Sequence, residues 1–160
     1  MIEMIENVEE NQRLEIKNVL NFRRKLNNQG LMNISKEIDK ILIDNNARKN
    51  NGVITVTHNI AVENGKQVID IEMFIPLDKE ITAPSGYRFL PSFLLNDAYK
   101  LRIEGNPQQM QEAIQKFAEY IRNKNLKPST PLYVVTVKES TGPLDVDDMI
   151  TDLYSGVESL

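Results

Sequence analysis

The sequence predicts a single α+β domain, residues 1–160, built from two β-α-β-β repeats. The order strand, helix, strand, strand occurs at about 14–77 and again at about 93–157, with 78–92 as a connector. Each half has one helix, so each must bury one sheet face against that helix. We therefore expect the repeats to share an antiparallel sheet with the helices on one face and a groove on the other.

The predicted elements follow from periodicity and turn residues. Residues 1–13 are interpreted either as a short helix, because Ile2, Ile5 and Val8 recur at helical spacing, or as a disordered lead-in. The first half is predicted to begin with strand 14–26 and turn 27–30. A helix capped by Asn33 and running to about Asn46 follows, with Ile34, Ile38, Ile41 and Leu42 on one stripe. Strand 53–57, an Asn64-Gly65 type I′ turn and strand 68–77 complete this half. The second half is predicted to begin with strand 93–103. Helix 107–123 follows, with Met110, Ala113, Ile114, Phe117 and Ile121 on one stripe. Strand 132–137, a turn at 141–143 and strand 149–157 complete this half.

Strand 68–77 carries an unusual combination of side chains. Its alternation places Ile69, Ile71, Met73 and Ile75 on one face and Asp70, Glu72 and Phe74 on the other. The closing strand superposes on it with Asp152 over Glu72, Tyr154 over Phe74 and Gly156 over Pro76. An acid followed two residues later by an aromatic residue thus occurs at equivalent places in both halves.

The bulk composition excludes several classes of function. The net charge of −4 argues against duplex nucleic acid as a direct partner. Cysteine is absent, which excludes disulfides and thiolate chemistry, and a single histidine, His58, leaves little for a metal site. His58 ends a strand and is expected at the surface or in a hydrogen bond. No apolar run reaches membrane-spanning length, so we expect a cytoplasmic protein with no cofactor, metal or membrane partner.

The acid and aromatic pairs are the candidate ligand-binding residues. A carboxylate in a groove attracts a cation, and an aromatic ring adds cation–π contact. The alternative for the acids is a solvated sheet face. Tyr133 and Phe22 could line the same groove, with core packing against a helix as their alternative. The candidate residues are Glu72, Phe74, Asp152, Tyr154, Tyr133 and Phe22.

Two stretches resemble a known family. They are the acid-bearing strand Ile69–Leu77, with its small-apolar-Pro-apolar end, and the passage Phe117–Leu126 leading into Leu132–Val135. They are similar to the gyrase-inhibitor-like (GyrI-like) effector-binding domain, which is akin to the SOUL haem-binding fold. The resemblance implies a groove that binds hydrophobic, often cationic small molecules through a buried glutamate and aromatic residues.

The resemblance has two departures and leaves three functions open. Many relatives carry a DNA-binding domain ahead of this unit, where this sequence has about a dozen residues, and the last strand ends in Ser155-Gly156 instead of a proline step. We expect a stand-alone small-molecule-binding domain, with a regulatory sensor as its implied role. The second hypothesis is an adaptor or chaperone-like protein, because the chain also resembles uncharacterised proteins of Gram-positive type VII secretion loci. The third hypothesis is a small hydrolase that uses Glu72 and Asp152 as acid and base. We expect that the protein is not an enzyme.

Overall fold

The computed structural model describes residues 8–50, 52–105, 110–138 and 149–160. The chain divides into two compact units: a first unit of residues 15–93, and a second unit formed by residues 94–160 together with the first fourteen. The elements are β1 (Val8–Leu26), α1 (Asn28–Asp44), β2 (Val53–Glu63), β3 (Lys66–Pro76), β4 (Arg88–Glu104), α2 (Met110–Asn123), β5 (Leu126–Pro128), β6 (Tyr133–Lys138) and β7 (Ile150–Ser159).

In the first unit, β3 pairs with both β1 and β2 in antiparallel registers. Asn64 and Gly65 both have positive φ angles, 52° and 77°, which confirms the predicted type I′ turn between β2 and β3. One face of these strands packs on α1, whose buried residues Ile34, Ile38 and Leu42 lie on the predicted stripe. This core fixes which side chains of β3 are left for the opposite face.

Helix α1 begins earlier than the sequence predicts. Residues 27–30 were expected to form a turn, but Asn27 is the N-cap and its side chain accepts a hydrogen bond from Gly30 N at 2.9 Å. A Cβ on Gly30 would lie 2.9 Å from a side-chain carbon of Leu26, so glycine allows the helix to start close against the preceding strand. The turn prediction is therefore wrong, because Asn and Gly serve here as a cap and a close approach.

The connector that follows β3 is tied to the first unit by Tyr87. The Tyr87 hydroxyl donates to Glu37 on α1, and Arg24 on β1 donates to the same carboxylate at 3.0 and 3.2 Å. The Arg24 guanidinium also lies 5.4 Å from the Tyr87 ring centroid. Burial and the bond to Glu37 raise the pKa of Tyr87 to about 12.

In the second unit, β7 is the central strand and pairs antiparallel with β4, β5 and β6. Helix α2 covers one face through Ala113, Phe117 and Ile121, all on the predicted stripe. The three-residue strand β5 was missed, because Leu126-Lys127-Pro128 has turn composition and gains its pairing only from the end of β7. The turn expected at 141–143 lies outside the described residues.

The helix considered for the N-terminus is wrong for residues 8–13, which belong to β1. Val8 packs against the α2 core, and Glu10 accepts a hydrogen bond from Tyr120 on α2 at 2.8 Å. That bond is the main cause of the lowered pKa of Glu10, to which Lys124 contributes. These partners are more than a hundred residues away, so local spacing could not indicate the extended conformation.

The two units pair their strands in corresponding registers. Glu72 lies opposite Arg23 and Val56, and Asp152 lies opposite Arg102 and Val135. All of these pairings are antiparallel, in agreement with the predicted α+β class.

Candidate ligand-binding site

Strand β3 has the two faces that the sequence predicts. The face opposite the α1 core carries Asp70, Glu72 and Phe74. The side chains that join or pack against the α1 core are Ile69, Ile71, Met73 and Ile75.

Asp70 is held by Arg23 of the neighbouring strand β1. Arg23 Nε and Nη2 donate to the two carboxylate oxygens, each at 3.0 Å. These bonds hold the pKa of Asp70 below its usual range and raise the pKa of Arg23. In the strand register Arg23 lies directly opposite Glu72, yet it pairs diagonally with Asp70.

Glu72 is bound by an amide and an imidazole. Its Oε2 accepts from Asn21 Nδ2 at 3.1 Å, and its Oε1 lies 2.9 Å from His58 Nε2. His58 reaches this position because the β2–β3 register shifts between Thr57 and Asn59, which makes His58 the extra residue of a β-bulge. The Glu72 and His58 side chains are 15% and 17% exposed.

Asn21 orients this network from β1. It is buried, and its amide donates both to Glu72 and to the backbone carbonyl of Met73 at 2.9 Å. Its Oδ1 accepts from Nε and Nη2 of Arg88, at 3.1 and 2.7 Å. Because Arg88 bonds to the amide oxygen, the amide nitrogen must point toward Glu72.

Glu72 is therefore a mostly buried carboxylate that, within the described part of the chain, forms no ion pair with a lysine or arginine. Across the ranges that the structure describes, no Lys or Arg nitrogen lies within ion-pair distance of Glu72. His58 balances its charge only when the imidazole is protonated. At reduced dielectric such a carboxylate attracts a cation more strongly than it would in water.

Two aromatic rings belong to the same unit as Glu72, one on β3 and one on β4. Phe74 is two residues from Glu72 on the same face, and its ring centroid lies 4.7 Å from that of Phe93 in a tilted arrangement. Phe74 is buried and Phe93 is half-buried. The first unit thus combines the predicted acid and aromatic residue and adds a second ring from β4.

Phe22 lies on the other face of the sheet. It is 2% exposed and belongs to the core that packs against α1. Its ring lies 5.2 Å from that of Tyr87 and beneath the Arg24 guanidinium. Core packing, the alternative that the sequence left open, is what the structure describes for Phe22.

In the second unit, Asp152 is bound by two cations. Arg102 Nε and Nη2 donate to its two oxygens at 2.8 and 3.0 Å, and Lys100 Nζ lies 3.6 Å from Oδ2. The Asp152 side chain is 4% exposed, and the bond to Asp152 is the main cause of the raised pKa of Arg102. Asp152 is thus neutralised from within the chain, unlike Glu72.

The aromatic candidates of the second unit are Tyr154 and Tyr133, and Tyr154 lies close to the ammonium of Lys100. Tyr154 is buried, with its pKa raised mainly by burial, and Lys100 Nζ lies 5.7 Å from its ring centroid. Tyr133 pairs directly with Tyr154 in the β6–β7 register and is half-buried. Tyr133 and Tyr154 therefore share a face of the sheet with Asp152.

One residue of difference explains the contrast between the units. Asp70, two residues before Glu72, corresponds to Ile150, two residues before Asp152. An isoleucine cannot attract a guanidinium, so Arg102 pairs with Asp152, the residue directly opposite it. In the first unit Asp70 binds Arg23 and leaves Glu72 to neutral or titratable partners.

The sequence selected Glu72 but missed the residues that organise it. His58 is hydrogen-bonded, as one of its two interpretations had it, but its bulge carries no glycine or other local signal. Asn21 alternates with apolar residues in β1, which was the available signal for a polar group facing β3. Arg88 lies in the segment interpreted as a connector, so no strand periodicity was available to predict that it lies beside Asn21.

Among the described residues, no group of three or more His, Asp or Glu side chains is arranged to hold a metal ion. None of the helices in those same ranges is long and apolar enough to cross a membrane.

Sequence comparison gives no relative: no family model matches the chain, and no curated protein does so either. Solved structures match its fold. EcmrR in a complex with DNA has a TM-score of 0.71 at 12% identity, with 96% of this chain and 59% of that chain covered. The C-terminal domain of EcmrR has a TM-score of 0.65 at 10% identity, with 96% and 99% covered. This chain therefore spans 59% of the EcmrR chain in the DNA complex.

A protein with a different description shares the fold. A hydrolase from Listeria innocua has a TM-score of 0.52 at 8% identity, with 92% of this chain and 91% of that chain covered. These identities establish fold and no shared chemistry. The predicted α+β, GyrI-like fold class is confirmed.

Proposed function

We propose that the first unit binds a flat, apolar organic cation at the face formed by Glu72, Phe74 and Phe93. The observation that carries the proposal is the state of Glu72: a carboxylate 15% exposed, oriented by Asn21, without a Lys or Arg partner among the described residues. A ligand cation would supply the missing charge, and the two rings would supply apolar and cation–π contact.

The proposed role is that of a small-molecule sensor. The resemblance to GyrI-like effector-binding domains implies hydrophobic cationic ligands, and the shared fold with the EcmrR C-terminal domain agrees with that resemblance. The proposal assigns ligand capture to this face and includes no catalytic step. In the second unit Asp152 is already paired with Arg102, so the proposal assigns the ligand to Glu72 alone.

The test is a fluorescence titration with 10-methylacridinium, a fixed flat cation, and acridine, its neutral counterpart at pH 8. Glu72→Gln keeps the side-chain shape and the acceptor for Asn21 but removes the charge. We expect it to weaken methylacridinium binding roughly 10- to 100-fold and to leave acridine binding unchanged. Asp44→Asn removes one exposed acid from α1 and should change neither affinity.

Two results would contradict the proposal. Equal methylacridinium affinity in the wild type and Glu72→Gln would remove the carboxylate from the site. If the wild type binds neither compound, flat organic cations are the wrong ligand class.

A second candidate function is binding of a protein partner. Ile60 and Val62 near the end of β2 are 55% and 74% exposed, which is unusual for apolar side chains on a strand. Ile60→Lys together with Val62→Lys should abolish such binding in a co-purification from the host while leaving dye affinity intact. Retention of every co-purified protein by the double variant would exclude this surface.

A further inference from the structure

Lys100 occupies, in the second unit, the place that Asn21 occupies in the first. Lys100 lies opposite Tyr154 in the β4–β7 register, as Asn21 lies opposite Phe74 in the β1–β3 register. Both face the acid and aromatic pair of their own unit. The difference is one of charge, because Asn21 is a neutral amide and Lys100 carries an ammonium group.

The ammonium of Lys100 has the surroundings expected of a bound organic cation. Its Nζ lies 3.6 Å from Asp152, 3.8 Å from Glu9 on β1 and 5.7 Å from the centroid of the Tyr154 ring. The Lys100 side chain is only 17% exposed although it ends in a charge. Two carboxylates and an aromatic face are the groups that recognise alkylammonium ions.

The local charge balance leaves room for one cation. Arg102 forms the bidentate pair with Asp152 and neutralises that acid. Glu9 then remains as the second negative charge, and Lys100 balances it. Without the ammonium of Lys100, this cluster would carry a net charge of about −1, shared between buried Asp152 and Glu9, whose side chain is 58% exposed.

We propose that Glu9, Asp152 and Tyr154 form a second cation site, specific for a primary alkylammonium group, that Lys100 fills as a tethered ligand. All residues of this site belong to the second unit, and the inference stands whether or not Glu72 binds a ligand. It gives the second acid and aromatic pair a role as a site occupied by the chain's own side chain.

Chemical rescue tests this proposal. Lys100→Ala removes Cγ, Cδ, Cε and Nζ, the four atoms of n-propylammonium. We expect propylammonium chloride to raise the Tm of Lys100→Ala saturably, by about 3–6 °C at ten times its dissociation constant, relative to equal sodium chloride. 1-Propanol, which has the same length without the charge, should give no saturable rise.

The matched control is Lys116→Ala. Lys116 is 22% exposed and lies 3.4 Å from Glu112, and among the described residues no second carboxylate lies within ion-pair distance of its ammonium. Propylammonium should not stabilise this variant or the wild type, whose site is filled. An equal shift in all three proteins, or no shift in Lys100→Ala beyond that of sodium chloride, would overturn the proposal.

A second variant keeps the test decisive if Lys100→Ala is unfolded in buffer. Lys100→Asn introduces the side chain found at the corresponding position of the first unit and also leaves the ammonium position empty. Recovery of the folded circular dichroism signal of either variant by propylammonium, and not by 1-propanol, supports the site. Failure of propylammonium to stabilise both variants contradicts it.

Discussion

Asp152 and Asp70 each form a bidentate pair with an arginine, but Asp152 is more deeply buried. Comparing the two pairs therefore tests how much burial adds to the contribution of such a pair to the free energy of unfolding. The Asp152 side chain is 4% exposed and that of Asp70 is 16% exposed, while Arg102 and Arg23 are 44% and 53% exposed. We predict that Asp152→Asn destabilises the protein strongly and that Asp70→Asn has a much smaller effect.

The magnitude for Asp152→Asn follows from its contacts. Hydrogen bonds to charged groups contribute about 1.5–3 kcal/mol each, and two from Arg102 end on this carboxylate. Asparagine retains one acceptor, and the half-exposed Arg102 can regain water. The expected loss in the free energy of unfolding is therefore about 2–3 kcal/mol, or a fall in Tm of about 5–10 °C.

Asp70→Asn should cost less than a third of that loss. Its pair with Arg23 lies at the surface, and Arg23 lies opposite Glu72 in the register, so it has another carboxylate to bind. Urea unfolding followed by circular dichroism at pH 7 measures both variants. A double-mutant cycle with Arg102→Gln should give a coupling of at least about 1 kcal/mol for the Asp152 pair. Equal losses for the two aspartate variants would refute the reasoning from burial.

Three further predictions concern ligand affinity, pH and packing. Asp70→Asn should also weaken methylacridinium binding several-fold, but not acridine binding, because the released Arg23 can neutralise the acid of the candidate site. The pKa of Tyr87 is raised above its usual 10 to about 12, so the fold favours the phenol; this stabilisation is complete below pH 10 and is lost as the pH rises to 12. Unfolding curves should show a smaller loss over this pH range in Tyr87→Phe than in the wild type. Gly156→Ala should cost about 1–3 kcal/mol in urea unfolding, since the new Cβ would lie 2.7 Å from Thr130 Cγ2; an unchanged midpoint would show that Thr130 moves freely.

The elements that could be predicted are those whose signals are local. A few adjacent residues were enough to predict three features: the period-2 pattern of β3, the 3.6-residue stripes of α1 and α2, and the Asn64-Gly65 turn. The sequence did not predict the extended conformation of residues 8–13 or strand β5, because the partners of these segments are distant in sequence. The predicted start of α1 was wrong because Asn and Gly suit both a turn and a capped helix.

The candidate site divides in the same way. Alternation placed Glu72 and Phe74 on one face because the period of a strand is independent of its neighbours. Which acid each arginine binds depends on the residues that pairing brings near it. Arg23 lies opposite Glu72 but binds Asp70, two residues away on the same strand. Arg102 lies opposite Asp152 and binds it, because the position that corresponds to Asp70 is Ile150. A bulge brings His58 to Glu72, and no residue type announces that bulge.

The assignment of residues 8–14 to the second unit has a consequence for synthesis of the chain. The first unit is continuous in sequence and can complete its contacts once residue 93 has left the ribosome. Residues 8–14 emerge before α2 and must wait for Tyr120 and Lys124, their partners on that helix. The second unit therefore closes a loop of about a hundred residues, and slow translation would lengthen the time for which residues 8–14 wait without their partners on α2.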